Sequence, residues 1–400
     1  MSIFNTVYWG WGSPTPTYKY LTYTLDQTQS NPASMITAIS DDARSMIAAD
    51  VINFIWAYPV LLDNSWNEWK KLNPNNFQQF EDWTDASSYT ASSSYDVMIK
   101  FPRRWYKIST SSNITTFSLT DNPNDPEYHY LPFQRFSSWT NIWTNPTFTN
   151  ASAFYLWAYK WFNSSWLRSW YWKTITASQT IWTFAWYART RWNLWWITEF
   201  VQELYLELCF MAIFKTTNAQ SAIWQWYTNS SNTAAKSTGW TYNKGMTWGS
   251  TDTNQMKFLG IEDWYWNIWE WVNWWSQTSN WVYISIPNED WSNRTSSYSY
   301  TPTWAYQYSS ISITSWQYIT KVKWDNYMWF TPTATGGSDS TYFTDMARRS
   351  SGSRVAIFGG RWDIGAWCGA FFWYLIYDAS GSSAEIGSRL MFLPNWDLTL

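Results

Sequence analysis

The amino-acid sequence predicts an α+β fold with sparse helices and short strands. Apolar residues recur at helical spacing in only a few segments, whereas short runs of β-branched and aromatic residues alternate with Ser, Asn and Gly turns along much of the chain. A chain of 400 residues is also longer than one ordinary core requires. We therefore predict a small, mainly β N-terminal region over residues 1–95 and a larger region over 96–400.

The predicted elements follow these patterns in chain order. Apolar residues at roughly helical spacing predict a helix over 32–54, which packs on a small domain or pairs between subunits. A second helix is predicted over 178–188, with Ser178 as its N-cap. The predicted strands are 96–102, 105–108, 115–119, 282–286 and 310–313, with a turn at 121–126.

The clearest helix is predicted over 198–215, where one apolar stripe recurs at intervals of three and four residues. Glu199, Glu203 and Glu207 lie four residues apart on a neighbouring face. Such a row resembles paired catalytic carboxylates, but a solvated helix flank explains it more simply. We therefore predict that these three carboxylates face water.

Composition and charge exclude several classes of protein. The chain has 26 Lys and Arg against 29 Asp and Glu, without long runs of one sign, so no nucleic-acid surface is expected. Cys209 and Cys368 permit one disulfide at most, and two free thiols are the simpler prediction. The sequence starts without the pattern of a signal peptide, and no apolar segment approaches eighteen residues. We expect a protein made in the cytoplasm that does not insert into membranes.

The sequence offers little catalytic chemistry. His129 is the single histidine, so neither a serine triad nor a two-histidine metal site is available within one chain. No phosphate-binding glycine loop is present. Oxygen ligands near Gly336 and Asp339, with Asp325, Asn326 and Asp345, leave calcium open as an alternative, although their spacing is not that of an EF-hand. We predict a protein that is not an enzyme and has no cofactor or metal.

The composition is anomalous in two residue types. Tryptophan occurs 39 times and glycine only 15 times, although glycine is about 7% of average proteins. Trp66, Trp83 and Trp274 stand in turn-like segments where a residue tolerant of positive φ is preferred. A genetic code that reads UGA as glycine, translated with tryptophan instead, would give this pattern. The alternative is a genuinely tryptophan-rich protein, such as a carbohydrate binder.

Three C-terminal segments carry a resemblance to a known fold family. They resemble, in order, the Gly-Asn-Val-Trp-Glu-Trp-Val, Arg-Gly-Gly-Ser-Trp and Ile-Gly-Phe-Arg-Leu signatures of C-type-lectin folds of the formylglycine-generating-enzyme (sulfatase-modifying-factor) type, with Trp266 at the first glycine. The segments are 263–272, 355–362 and 386–390. The resemblance implies a C-type-lectin-like domain with short twisted strands over 96–400. Enzymes of this family depend on an active-site cysteine pair, for which only Cys209 and Cys368 are candidates here.

Residues 359–390 resemble the variable region that diversity-generating retroelements write in lectin-fold phage proteins. The residues that fit the constant frame are Gly359, Gly360, Trp362, Gly365, Ala366, Gly369, Ala370, Phe371, Trp373 and Leu375. The residues that stand where the family shows Asn are Arg361, Asp363, Ile364, Trp367, Tyr374, Ile376 and Tyr377, and all but Trp367 can arise from an Asn codon through changes at adenines.

The resemblance also implies a ligand-binding face. This face comprises Arg361, Asp363, Ile364, Trp367, Phe372, Tyr374, Ile376, Tyr377 and Asp378. Strand alternation predicts that Phe371, Trp373 and Leu375 point inward and that the residues between them point outward. Rigid aromatic side chains would then supply contact area, and Arg361 and Asp363 polar selectivity.

The function implied is that of a receptor-binding protein at the tip of a phage tail fibre. Segments 101–107, 218–227 and 256–263 resemble phage structural proteins that carry this domain. The expected partners are a host cell-surface receptor, either protein or glycan, and other tail proteins of the virion, with a homotrimer as the expected assembly. The alternatives are a cellular binding or adhesion module diversified by a retroelement, and a catalytic member of the formylglycine-generating type.

Overall fold

The computed structural model describes most of the chain. The described residues are 17–138, 147–163, 167–191, 195–223, 228–229, 231–249, 255–278, 281–285, 305–309, 313–324 and 330–394. The predicted strand at 310–313 lies almost wholly outside them, as do the calcium candidates Asp325 and Asn326. None of the described helices is long and apolar enough to cross a membrane.

Short strands dominate the described part of the chain, and helices are few. The helices are α1 Pro32–Met35, α2 Asp41–Ser45, α3 Ala48–Ile55, α4 Ser87–Thr90, α5 Ile181–Arg191, α6 Phe200–Phe214 and α7 Ala219–Ala222. Strands of the first half are β1 Tyr20–Asp26, β2 Ile36–Ala38, β3 Tyr58–Asp63, β4 Glu68–Asn73, β5 Asn76–Phe80, β6 Tyr95–Pro102, β7 Trp105–Ser111, β8 Ile114–Thr120, β9 Gln134–Ser138, β10 Thr147–Asn150, β11 Ala153–Trp157, β12 Phe162–Asn163, β13 Leu167–Arg168 and β14 Trp195–Ile197. Strands of the second half are β15 Lys257–Phe258, β16 Ile261–Glu262, β17 Trp269–Thr278, β18 Trp281–Ser285, β19 Ala305–Ser309, β20 Gln317–Lys323, β21 Thr331–Thr335, β22 Met346–Arg349, β23 Arg354–Phe358, β24 Trp373–Leu375, β25 Ile386–Gly387 and β26 Leu390–Phe392. The prediction of an α+β fold with sparse helices is confirmed.

Two sheets join the N-terminal residues to the rest of the chain. One has the strand order β2-β1-β8-β7, and the other has the order β14-β26-β11-β6-β3-β4-β5. In the second sheet β3 pairs with β6, while β11 pairs with both β6 and the C-terminal strand β26. The region boundary predicted at residue 95 therefore falls within one continuous sheet.

A third sheet brings together the segments that carry the family resemblance. Its order is β19-β18-β17-β23-β24-β22-β20-β21, and β25 pairs with β17 at a separate edge. Trp271 lies opposite Ile357 on β23, and Trp269 lies opposite Ile386 on β25. Three segments, the first and last of them more than a hundred residues apart in sequence, are thus direct neighbours in space.

Helix α6 is confirmed near its predicted bounds, but its surroundings differ from the prediction. Every residue from Phe200 to Ile213 is buried, so the helix has no solvated face. The prediction that Glu199, Glu203 and Glu207 face water is wrong, because all three are almost completely buried. Nε1 of Trp264 donates to Glu203 at 2.8 Å and Nε1 of Trp373 donates to Glu207 at 3.1 Å. Hydrogen bonds from distant indoles thus replace water at these two carboxylates.

The two other predicted helices differ in detail. Residues 32–54 form α1, β2, α2 and α3 rather than one helix, because β2 pairs with β1 and the Ser40 hydroxyl caps α2 by accepting from the Ala43 amide at 3.2 Å. Met35 and Val51 still pack into the core of the same chain. The helix predicted at 178 begins at Ile181, since Ser178 has a φ of 61° and Thr180 accepts from the Thr183 amide instead.

Candidate binding face

The candidate face begins at a turn that requires glycine. Gly359 and Gly360 follow β23 with φ values of 91° and 97°. A Cβ on Gly360 would lie 2.2 Å from Sγ of Cys368, and one on Gly359 would lie 3.1 Å from Cα of Tyr265. Residues with a side chain rarely adopt such φ values. A Cβ would have no space at Gly360 and would be tightly packed at Gly359. The two glycines let the chain after β23 pack directly against Cys368.

The next residues, 361–368, form a loop that we call the face loop, and side chains outside it hold its backbone. The hydroxyl of the buried Thr228 donates to the Arg361 carbonyl at 2.9 Å and accepts from the Gly365 amide at 2.8 Å. Further loop carbonyls accept from distant amides, Ala366 from Gln220 and Trp362 from Asn232. The backbone of the face loop is therefore fixed by groups that do not belong to it.

The predicted face residues divide into exposed and buried groups. Those that reach the surface at least in part are Arg361, Asp363, Ile364, Trp367, Ile376, Tyr377 and Asp378. Trp367 is the most open of the large side chains, at 46% exposed. Phe371, Trp373 and Leu375 are buried, which confirms the inward direction predicted for them.

The prediction that Phe372 and Tyr374 point outward is wrong. Trp316, just before β20, covers both rings, stacking on Phe372 at 5.5 Å and on Tyr374 at 4.7 Å between ring centroids. Phe372 is completely buried and Tyr374 is 5% exposed, and burial raises the pKa of the Tyr374 hydroxyl to about 12. Trp316 is a residue that sequence reasoning missed, because it lies more than fifty residues from the rings it covers.

The charges of the face are paired with each other. Nε of Arg361 lies 2.6 Å from a carboxylate oxygen of Asp363, and NH1 of Arg361 forms an ion pair with Glu385. The Arg361 guanidinium also lies 4.9 Å from the centroid of the Trp269 ring. Glu385 is a second residue that the sequence did not indicate.

Beneath the face lies a buried ionic network. Nζ of Lys160 lies 2.6 Å from Oε1 of Glu270, and NH2 of Arg389 lies 3.1 Å from the same oxygen. Arg389 also donates to the carbonyls of Trp157 and Glu262, both at 2.7 Å. The three charged side chains, Lys160, Glu270 and Arg389, are shielded from water, so this network anchors β25 and β26 to the core.

The two cysteines are free and buried. Burial raises the pKa of the Cys209 and Cys368 thiols, whereas a reactive cysteine has a lowered pKa. Asp345, a calcium candidate, accepts a hydrogen bond from the Phe371 amide at 2.8 Å. Within the described ranges, no group of three or more His, Cys, Asp or Glu side chains could hold a metal ion.

Comparison with known proteins gives only distant structural similarity. No family model and no curated protein matches the chain. Among solved structures, the chain is similar to proteins titled Major Tropism Determinant P3c, M1 and I1 Variant, at 13%, 14% and 12% identity and TM-scores of 0.31, 0.32 and 0.32. Each match covers 84% of this chain and 71% of the other. Similarity at this level does not establish a shared fold.

The roles of the loop backbone and its side chains can be separated by mutation. Thr228→Val removes the hydroxyl that bridges Arg361 and Gly365 while keeping the side-chain volume, and we expect it to lower the free energy of unfolding by about 1–3 kcal/mol. Trp367→Ala is expected to change it by less than about 0.5 kcal/mol, since that side chain is largely exposed. Urea unfolding measures both, and an equal loss for the two variants would contradict this division.

Proposed function

We propose that this chain is a phage receptor-binding protein of the virion tail, with a C-type-lectin-like domain that binds a host-surface ligand through the face described above. The observation that carries the proposal is the face loop, whose backbone is held by Thr228, Gln220 and Asn232 from outside. A backbone held in this way tolerates side-chain replacement. A binding surface that must change its specificity while keeping its fold requires this property.

The proposed contact residues are those in and after the face loop whose side chains are at least partly exposed. They are Arg361, Asp363, Ile364, Trp367, Ile376, Tyr377 and Asp378. Trp367 and Tyr377 offer rigid aromatic area at low entropic cost, and the paired charges of Arg361 and Asp363 offer directional hydrogen bonds. Phe372 and Tyr374 support the face from below, since Trp316 covers them.

Competition for adsorption tests the proposal. The purified chain is added to host cells before the phage, and we expect it to reduce adsorption of the virion. A double variant, Trp367→Ala with Tyr377→Ala, is expected to lose at least about tenfold in this competition, as for removal of central aromatic contacts. Ile47→Ser, an exposed apolar residue before α3, is the matched control and should compete like the unchanged chain.

Two results would contradict the proposal. One is equal competition by the double variant and the control. The other is absence of the chain from purified virions, which would favour a cellular binding module instead. The homotrimer is part of the same proposal, and the mass of the purified chain in solution tests it separately.

A further inference from the structure

Five tryptophans adopt the left-handed backbone conformation. They are Trp56, Trp66, Trp83, Trp172 and Trp266, with φ between 57° and 72°. Tryptophan is 39 of 400 residues, about one in ten, yet it supplies five of the thirteen non-glycine residues with positive φ in the described part of the chain. A bulky side chain at positive φ is a genuine outlier, whereas glycine adopts this conformation freely.

Two of these residues stand at the same position of the same kind of hairpin loop. The amide of Trp66 donates to the Asp63 carbonyl at 3.0 Å, and the amide of Trp83 donates to the Phe80 carbonyl at 2.9 Å. In each loop the accepting residue also donates its own amide to the carbonyl four residues later. Asp63 donates to Asn67, and Phe80 donates to Thr84. Three-residue hairpin loops of this type place a left-handed residue last, and that residue is usually glycine.

Trp56 occupies the equivalent position at the end of a helix. It follows α3 with φ 60° and ψ 33°, and its amide donates to the Ile52 carbonyl at 3.0 Å. Glycine is strongly enriched at the left-handed residue that ends a helix, because a side chain there is strained. The segment therefore has the backbone of a glycine-terminated helix and the side chain of a tryptophan.

Burial does not compensate for the strain at most of these sites. Trp56, Trp83 and Trp172 are 58%, 67% and 47% exposed, so their indoles gain little from packing. Trp266 is buried, and its Nε1 donates to the Cys368 carbonyl at 2.8 Å. That carbonyl also accepts from Gln220 at 3.3 Å, so it keeps a donor without the indole.

We propose that these five positions are glycine in the natural protein, encoded by UGA codons that its cell reads as glycine. The proposal accounts for the conformation of the five residues and for part of the shortage of glycine, because it raises the glycine count from 15 to 20. Tryptophans at ordinary φ in the core, such as Trp271 and Trp373, are outside it. It is independent of the proposed function, because it concerns decoding and not binding.

The gene and the native protein test the proposal directly. We expect UGA at all five codons. Peptides of the natural protein, purified from its own cells, should be lighter at each position by the difference between an indolylmethyl group and a hydrogen. UGG at any of the five codons, or tryptophan in any of the five native peptides, overturns the proposal.

A recombinant pair adds a physical test. Trp83→Gly relieves a left-handed tryptophan and is expected to raise the ratio of folded to unfolded protein about tenfold. Trp186→Gly is the matched control, because its side chain is 52% exposed but lies within α5, where glycine lowers that ratio. Urea unfolding measures both ratios, and a Trp83→Gly variant no more stable than the parent chain overturns the inference.

Discussion

The free energy of unfolding is expected to fall by several kcal/mol between about pH 5 and pH 8. Burial raises the pKa of Glu203 to about 8, of Glu262 to about 7 and of Asp263 to about 6, and it also raises the pKa of Glu207. These acids keep their protons in the folded chain over a pH range where the unfolded chain has released them. Their stabilising contribution is complete below about pH 4 and is lost as pH rises through the folded values.

Each proton held in this way changes stability by about 1.4 kcal/mol per pH unit. Lys257 acts in the opposite direction, because burial lowers its pKa to about 7. Its unfolded form keeps a proton up to about pH 10, so it adds stability with rising pH only above about pH 7. The decrease between pH 5 and 7 is therefore not offset by Lys257.

Urea unfolding at a series of pH values measures this slope. Glu203→Gln has no proton to release and is the matched control. It is expected to reduce the slope of stability against pH by the contribution of one titrating group. Stability that is constant or rises from pH 5 to 7 would show that the buried carboxylates are ionised in the folded chain.

Arg389→Met is expected to destabilise the chain by about 3–5 kcal/mol, which is the cost of removing one partner of a buried ion pair. The substitution leaves Glu270 with Lys160 alone and removes the donors to the Trp157 and Glu262 carbonyls. Arg44→Met is the control, because Arg44 pairs with Asp41 on the exposed surface and should contribute less than about 1 kcal/mol. Thermal and urea unfolding compare the two, and equal losses would contradict a buried network.

Elements with strong local patterns were predictable from the sequence. The strands β6, β7 and β8 and helix α6 lie close to their predicted bounds, because alternation and helical spacing are local properties. The environment of α6 was not predictable. Trp264 and Trp373 bury Glu203 and Glu207 from more than fifty residues away. The helix predicted at 32–54 failed for the same reason, since β2 is fixed by pairing with β1.

The constant positions of the candidate face were predictable from the sequence, but the exposure of its side chains was less so. The positive φ values of Gly359 and Gly360 and the burial of Phe371 agree with the frame taken from the sequence. The covering of Tyr374 by Trp316 required tertiary packing, which no local pattern signals. The positive φ of Trp66, Trp83 and Trp266 agrees with the turn positions inferred from composition and motif. Trp274, also assigned to a turn-like segment, lies instead within strand β17, so that prediction is wrong.

The hydrogen bonds that Thr228 makes to the face loop have a consequence for how easily the loop sequence can change. Because the loop takes its hydrogen bonds from Thr228, Gln220 and Asn232, a codon change at Asp363 or Ile364 removes none of them. Most variants with new side chains at these positions would therefore fold as well as their parent, and few would be lost to misfolding. The number of distinct surfaces open to such a loop would then be limited by how many side-chain combinations mutation supplies, and not by how many of them survive folding.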